Sequence, residues 1–180
     1  MSYKIIAICG EAGAGKDTLL RKVCDKYDVN EIISCTSRPM REGEIDGKNY
    51  YFLKDDVFMK KIWTGEMLEC TTFNDWHYGT SIDALRKDKV NVGVFNIAGI
   101  EFMLEQPDLD ITIVYVNVPA KERLMRQLNR ETNPDVDEIV RRYGTDLKDF
   151  KKLNSYHHIV IDNLTTQDLD KAVNTIGQML

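Results

Sequence analysis

Residues 4–27 read KIIAICGEAGAGKDTLLRKVCDKY, and this stretch decides the fold. Lys4 to Cys9 is a short apolar run stopped by a glycine, the pattern of a buried strand. Over residues 15 to 27, Leu19, Leu20 and Val23 recur on one helical face. Between them lies GEAGAGK, residues 10–16, which matches the spacing GxxxxGK at Gly10, Gly15 and Lys16. Glycines in such a loop let successive backbone N–H groups turn inward on phosphate oxygens. The helix that follows adds its positive end, and the lysine adds a point charge. Strand, loop and helix in this order separate a phosphate loop from a glycine-rich connection.

One position departs from the usual loop. Asp17 follows Lys16, where Ser or Thr ordinarily ligates magnesium, and Thr18 comes one place later. Two readings of Asp17 stand. Its carboxylate can reach Mg²⁺ directly or through water, or it stabilises the start of the helix.

Beyond the loop, strands alternate with helices. The pattern predicts strands at Ile32 to Cys35, Met67 to Phe73, Asn91 to Phe95, Ile111 to Val116 and His158 to Ile161. It predicts helices at Asp55 to Thr64, capped by Asp55, from Ser81 as cap through Arg86, and at Ala98 to Glu105. A further helix has Pro119 in its first turn and runs to about Arg130, followed by a break at Glu131 to Pro134. Asp135 to Leu153, with a weak point at Gly144, and Gln167 to Leu180 complete the helices. Alternation of this kind implies a parallel sheet covered on both faces. Residues 34–86 carry short strands and few helices, and residues 126–142 are polar and arginine-rich, so both read as insertions on a parallel core.

Composition narrows the function. A chain of 180 residues, 43% hydrophobic and 29% charged, suits one soluble domain. A net charge of −5 with no basic block argues against nucleic-acid binding, but leaves room for a small phosphorylated substrate. No apolar run approaches a membrane span, and MSYKIIAIC lacks the pattern of a signal peptide, so a cytoplasmic location is expected. Cys9, Cys24, Cys35 and Cys70 show no paired spacing and read as buried reduced thiols. His77, His157 and His158 show no metal spacing, and the last two read as strand-entry residues.

A second cluster accompanies the loop. Residues 34–52 read SCTSRPMREGEIDGKNYYF, followed by GEMLECTTF at 65–73 and WHYGTS at 76–81. Arg38 and Arg41 flank a proline three residues apart, and guanidinium groups suit bidentate phosphate contacts. Tyr50 and Tyr78 can donate phenolic hydrogen bonds to the same anion. Glu69 lies between apolar neighbours on a strand. As an acceptor-only carboxylate it can pair with the N1–H and N2–H of a guanine.

These segments, in this order and over nearly the full length, resemble the guanylate kinases. That family joins a phosphate loop to TSRPxRxGExxGxxYxF, then GExLE, then a YGTS turn. The resemblance implies a P-loop three-layer α/β fold with a parallel central sheet, an inserted mixed-β acceptor-binding subdomain and a helical lid. It divides the chain into a core at 1–33, 87–125 and 143–180, an insert at 34–86 and a lid at 126–142. It implies transfer of a phosphoryl group from ATP, with Mg²⁺, to GMP or dGMP. The donor would lie on Gly10, Glu11, Ala12, Gly13, Ala14, Gly15, Lys16, Asp17 and Thr18. The acceptor would lie on Ser34, Arg38, Arg41, Tyr50, Glu69, Tyr78, Thr80 and Asn96, with Ser34 and Thr80 helping to hold the base. Lys16, Arg38, Arg130 and Arg142 would serve the transfer itself. Arg126 matches a lid arginine loosely, because Gln127 replaces a leucine. Arg123 and Arg141 read as a solvated helix face.

The chain departs from the family at VGVFNIAG, where LDIDxQG is usual: Val94 and Asn96 stand in place of two aspartates. Asp17 and Asn96 resemble features of ribose 1,5-bisphosphate phosphokinases, whereas Tyr50, Glu69 and the complete GExxGxxYxF segment suit a nucleotide. A deoxynucleotide kinase of relaxed or altered base preference is a further alternative, and so is a non-catalytic guanylate-kinase-like binding module, which the intact Gly15–Lys16 pair opposes.

Overall fold

The computed structural model describes residues 2–41, 43–73, 75–130 and 132–180. Strands and helices alternate as the sequence predicts, and contacts divide the chain into two compact units. The first unit is Met1–Ile5, Val29–Gly93 and Ala98–Ile111. The second is Ile6–Asp28, Val94–Ile97 and Thr112–Leu180.

A five-stranded sheet runs in the order β2-β7-β1-β8-β9, built from β1 (Tyr3–Cys9), β2 (Asn30–Glu31), β7 (Asn91–Val94), β8 (Leu109–Asn117) and β9 (Ile159–Asp162). The β2–β7 and β8–β9 pairs are parallel. A four-stranded sheet runs in the order β4-β3-β6-β5, from β3 (Cys35–Thr36), β4 (Tyr51–Phe52), β5 (Met67–Phe73) and β6 (Trp76–Ser81). Here β3–β4 is parallel, while β3–β6 and β5–β6 are antiparallel.

In the second unit, α1 (Lys16–Lys26) buries Leu19, Leu20 and Val23, the face its spacing marks out. It packs against α6 (Thr166–Gly177), which buries Ala172, Val173 and Ile176. Thr165 caps α6 with a reciprocal capping box to Asp168, satisfying backbone donors that a helix start leaves unpaired. The helices α4 (Ala120–Leu128) and α5 (Val136–Asp149) flank the predicted lid break, and Asp135 caps α5 by accepting from the Glu138 N–H.

In the first unit, α2 (Asp55–Trp63) inserts Phe58 under the four-stranded sheet, stacked on His77 at 5.4 Å. Asn91 is fully buried and fully used. Its amide donates to Lys4 O and Arg86 O, and its oxygen accepts from Asn30 and the Arg86 N–H. That amide fixes the loop before β7, with α3 (Ile97–Leu104) following the strand.

Several local expectations are corrected. The apolar stretch at 32–35 is not one strand, because Asn30–Glu31 pairs in the parallel sheet and Cys35–Thr36 in the mixed sheet. Ser81 ends β6 rather than capping a helix, and only a 3-10 turn, Ile82–Ala84, follows. Lys54, not Asp55, occupies the cap position of α2. The helix after Asp135 passes through Gly144 and stops at Asp149, before a 3-10 turn at Lys152–Ser155. In the predicted break, Glu131 lies outside the described residues. Cys70 is exposed, unlike buried Cys9 and Cys35.

Candidate functional site

The second unit holds the phosphate loop. Gly13 and Gly15 adopt φ of +82° and +84°, the left-handed region that suits glycine. A Cβ on Gly13 would lie 2.5 Å from Arg123 O, and one on Gly15 would lie 2.6 Å from the Asn163 amide nitrogen. The loop is thus wrapped so closely that these positions admit no side chain. Lys16 Nζ donates to Gly10 O at 2.7 Å and to Glu11 O at 3.2 Å, curling back over the loop it follows. Loss of hydration pushes the Lys16 ammonium down from its usual pKa, while the Asp17 and Asp146 charges oppose that shift. Asp17 and Thr18 are exposed on the first turn of α1.

The loop rests on side chains that sequence spacing does not select. Buried Arg123, 5% exposed, pairs with Glu11 at 3.3 Å and donates to Val118 O. Tyr115 donates its hydroxyl to Glu11 at 2.9 Å. Asn163 donates to Ala14 O at 2.8 Å, and Arg126 reaches Gly13 O and Asn163 O. Arg123 is therefore no solvated helix residue; it underpins the loop. The signal was its position next to Leu124 on a strongly amphipathic helix, which does not distinguish a buried arginine from an exposed one.

The remaining lid candidates are less engaged. Arg130 is exposed beyond the end of α4. Arg141 and Arg142 share Glu138, with Nε–O distances of 2.7 Å each, and their hydrogen bonds, that of Arg141 foremost, hold its carboxyl down at about 2. Arg141 is exposed, as expected, and Arg142 is half-buried.

The first unit gathers Ser34, Arg38, Arg41, Tyr50, Glu69, Tyr78 and Thr80, while Asn96 belongs to the second unit and is exposed. Register explains the gathering. Glu69 lies opposite Thr80, Thr71 opposite Tyr78, and Thr36 opposite Tyr78 and Phe52. Opposed residues share a face, so Glu69, Tyr78 and Thr80 line one side of the mixed sheet. A register shift between Met67 and Glu69 brings Glu69 opposite Thr80. Ser34 Oγ and Thr80 Oγ1 lie 3.4 Å apart.

Glu69 is 7% exposed, not a surface strand carboxylate. Burial pushes its carboxyl up to about 7, against hydrogen bonds from Thr80 that favour the charged form. Arg38 is equally buried. Its Nη1 donates to Glu44 Oε2 at 2.7 Å and to Pro39 O at 2.8 Å, and its Nη2 donates to Glu44 Oε1 at 2.5 Å. Its guanidinium lies 5.3 Å from the ring centroids of both Tyr50 and Phe52, and the Tyr50 and Tyr78 rings are 6.1 Å apart. A guanidinium has five N–H donors, so these bonds leave the edge formed by Nε and the second Nη2 hydrogen for an anion. The Arg41 N–H also donates to Glu44, at 2.7 Å, and its side chain is exposed. Glu44 is not singled out by the sequence pattern, although it lies inside the quoted segment.

Comparison with known proteins gives the same picture. The family model described as Guanylate kinase matches residues 2–180. The guanylate kinase of Sulfurimonas denitrificans is 30% identical, over 96% of this chain and 86% of the relative. That of Caldanaerobacter subterraneus subsp. tengcongensis is 29% identical, over 98% of this chain and 85% of the relative. The crystal structure of guanylate kinase from Anaplasma phagocytophilum superposes with a TM-score of 0.72 at 20% identity, covering 99% of this chain and 84% of that one, a likeness of fold.

Proposed function

This chain belongs to the guanylate kinase family, and we propose that it transfers the γ-phosphoryl group of ATP to GMP or dGMP, yielding ADP and the guanine nucleoside diphosphate. The observation that carries the acceptor is Glu69. A buried carboxylate that accepts from Thr80, whose hydroxyl lies 3.4 Å from that of Ser34, on the sheet face that also bears Tyr78, suits the paired N–H donors of guanine. The family model and the curated relatives are guanylate kinases, which disfavours the ribose 1,5-bisphosphate reading. Arg38, Arg41, Tyr50 and Tyr78 would hold the acceptor phosphate.

Residues 10–18 would hold the donor, and Arg130 and Arg142 would close on it from a lid at 126–142. The insert at 34–86 would bring the acceptor, and residues 1–33, 87–125 and 143–180 would form the core. Asp17 fits magnesium, which binds through one or two carboxylates together with substrate phosphates, and it is exposed next to Lys16. Mg²⁺ would neutralise charge on the phosphates. The attacking group is a phosphate oxygen already ionised at neutral pH, so no general base is needed. The protein's work is to align the two phosphates, neutralise charge through Lys16 and the arginines, and exclude water. ATP and nucleoside monophosphates are cytoplasmic metabolites, and the proposed activity belongs there.

Lys16→Ala is the test of the donor half. Turnover falls below about one-hundredth of wild type, the scale for losing one charged transition-state contact, while the circular dichroism spectrum is unchanged. Near-normal turnover would refute the assignment.

A further inference from the structure

Asp146 lies on α5, one turn beyond Arg142, outside every motif that marks the phosphate loop. Its Oδ2 accepts the Ala12 N–H at 2.7 Å. Gln127, on α4, donates Nε2–H to the Ala12 carbonyl at 3.3 Å. Ala12 is thus held on both sides of its backbone by the two helices that flank residues 129–135. The Asp146 carboxyl also acts through space on Lys16, and Glu11 and Arg123 act on it in turn.

A carboxylate partly withdrawn from water needs donors. Asp146 finds one in the Ala12 amide, while the Lys16 charge acts on it through space, and both are the kinds of group that a phosphate loop offers to its ligand. Two anions drawn to one set of donors oppose each other, and at this partly exposed loop salt screens that repulsion.

We propose that Asp146 is a positioning residue of the donor site: it anchors Ala12, and it sets a fixed negative charge beside Lys16 that the donor polyphosphate must work against. This rests on the reading that residues 10–18 bind the donor. The anchor keeps the empty loop open in its binding shape. The charge holds donor affinity down, and with it the affinity for the product ADP. Asp146 touches no reacting atom, so its two effects separate in the right variants. Asp146→Asn keeps an oxygen for the Ala12 N–H and removes the charge, whereas Asp146→Ala removes both.

Calorimetric titration of ATP, ADP and adenosine into wild type and both variants, at low and high salt, tests this. Asp146→Asn is expected to bind ATP on the order of tenfold more tightly at low salt. The gain shrinks for ADP, vanishes for adenosine, and diminishes as salt rises. Asp146→Ala is expected to lose kcat relative to Asp146→Asn, because its loop has lost the anchor. ATP binding by Asp146→Asn that equals or falls below wild type, or a gain shared by adenosine, would overturn the proposal. Wild-type protein that binds no ATP would overturn the donor-site reading itself.

Discussion

Glu44 grips Arg38 end-on, with Nη1–Oε2 at 2.7 Å and Nη2–Oε1 at 2.5 Å, and the same carboxylate accepts the Arg41 N–H. The Arg38 guanidinium holds the Glu44 carboxyl at about 2, so the pair stays ionised across the working range of pH. One carboxylate thereby fixes the Arg38 guanidinium and the Arg41 backbone of the proposed acceptor clamp. Charge-assisted bidentate pairs supply geometric definition as well as energy. Glu44→Gln is expected to raise KM for GMP on the order of tenfold, with a smaller change in KM for ATP. Equal changes in both constants would point to general loosening instead.

Glu69 gives a pH signature. Its carboxyl sits at about 7 in the folded chain, against an ordinary value of 4.5. Guanine pairing needs the ionised form, so kcat/KM for GMP should fall as pH drops below about 7, and Glu69→Gln should remove that limb. Stability runs the other way. Between the two values the folded state keeps a proton that the unfolded state releases, so this group's contribution to stability declines as pH rises from 4.5 to about 7. Denaturant unfolding of wild type and Glu69→Gln across that window measures it.

Arg123 tests the underpinning of the loop. Removing it leaves Glu11, whose side chain is 12% exposed, with the Tyr115 hydroxyl but without its cation, and breaking a pair this enclosed costs up to about 3–5 kcal/mol. Arg123→Ala should therefore lower Tm markedly. Arg141→Ala should cost under about 1 kcal/mol, because its partner Glu138 is solvent-accessible and keeps Arg142. Thermal unfolding of the two variants side by side distinguishes the roles. Equal losses would refute the distinction.

Gly13→Ala is the backbone counterpart. The new Cβ would meet the Arg123 carbonyl at 2.5 Å, at φ +82°. Strain of this kind costs roughly 1–3 kcal/mol, and the loop must shift to relieve it. Weaker ATP binding measured by titration is expected, and unchanged binding would contradict it.

The donor loop was legible because its chemistry is local. Glycine spacing, one lysine and the Leu19, Leu20 and Val23 face lie within a single strand–loop–helix unit. The mixed sheet was legible only as motifs. Its strands β3 and β4 are two residues each, too short to carry a period; they pair with each other across an intervening loop, and the antiparallel partner of β3 lies some forty residues away. Glu69 is singled out by type and place alone, yet its burial goes with a register shift that no pattern announces. Arg123, Asp146 and Glu44 were missed for one physical reason. Each is a charged residue on a helix or loop whose partner is fixed by tertiary packing, and such residues read by default as solvated surface. Nothing in the structure accounts for Val94 replacing the family aspartate.

The central claim is that this chain phosphorylates a guanine nucleoside monophosphate. The direct measurement is coupled ADP release from Mg²⁺–ATP against a panel of ribo- and deoxynucleoside monophosphates and ribose 1,5-bisphosphate. Turnover of GMP or dGMP well above that of the other acceptors is predicted. Turnover confined to another base or to the sugar bisphosphate, or GMP binding without turnover, would contradict it.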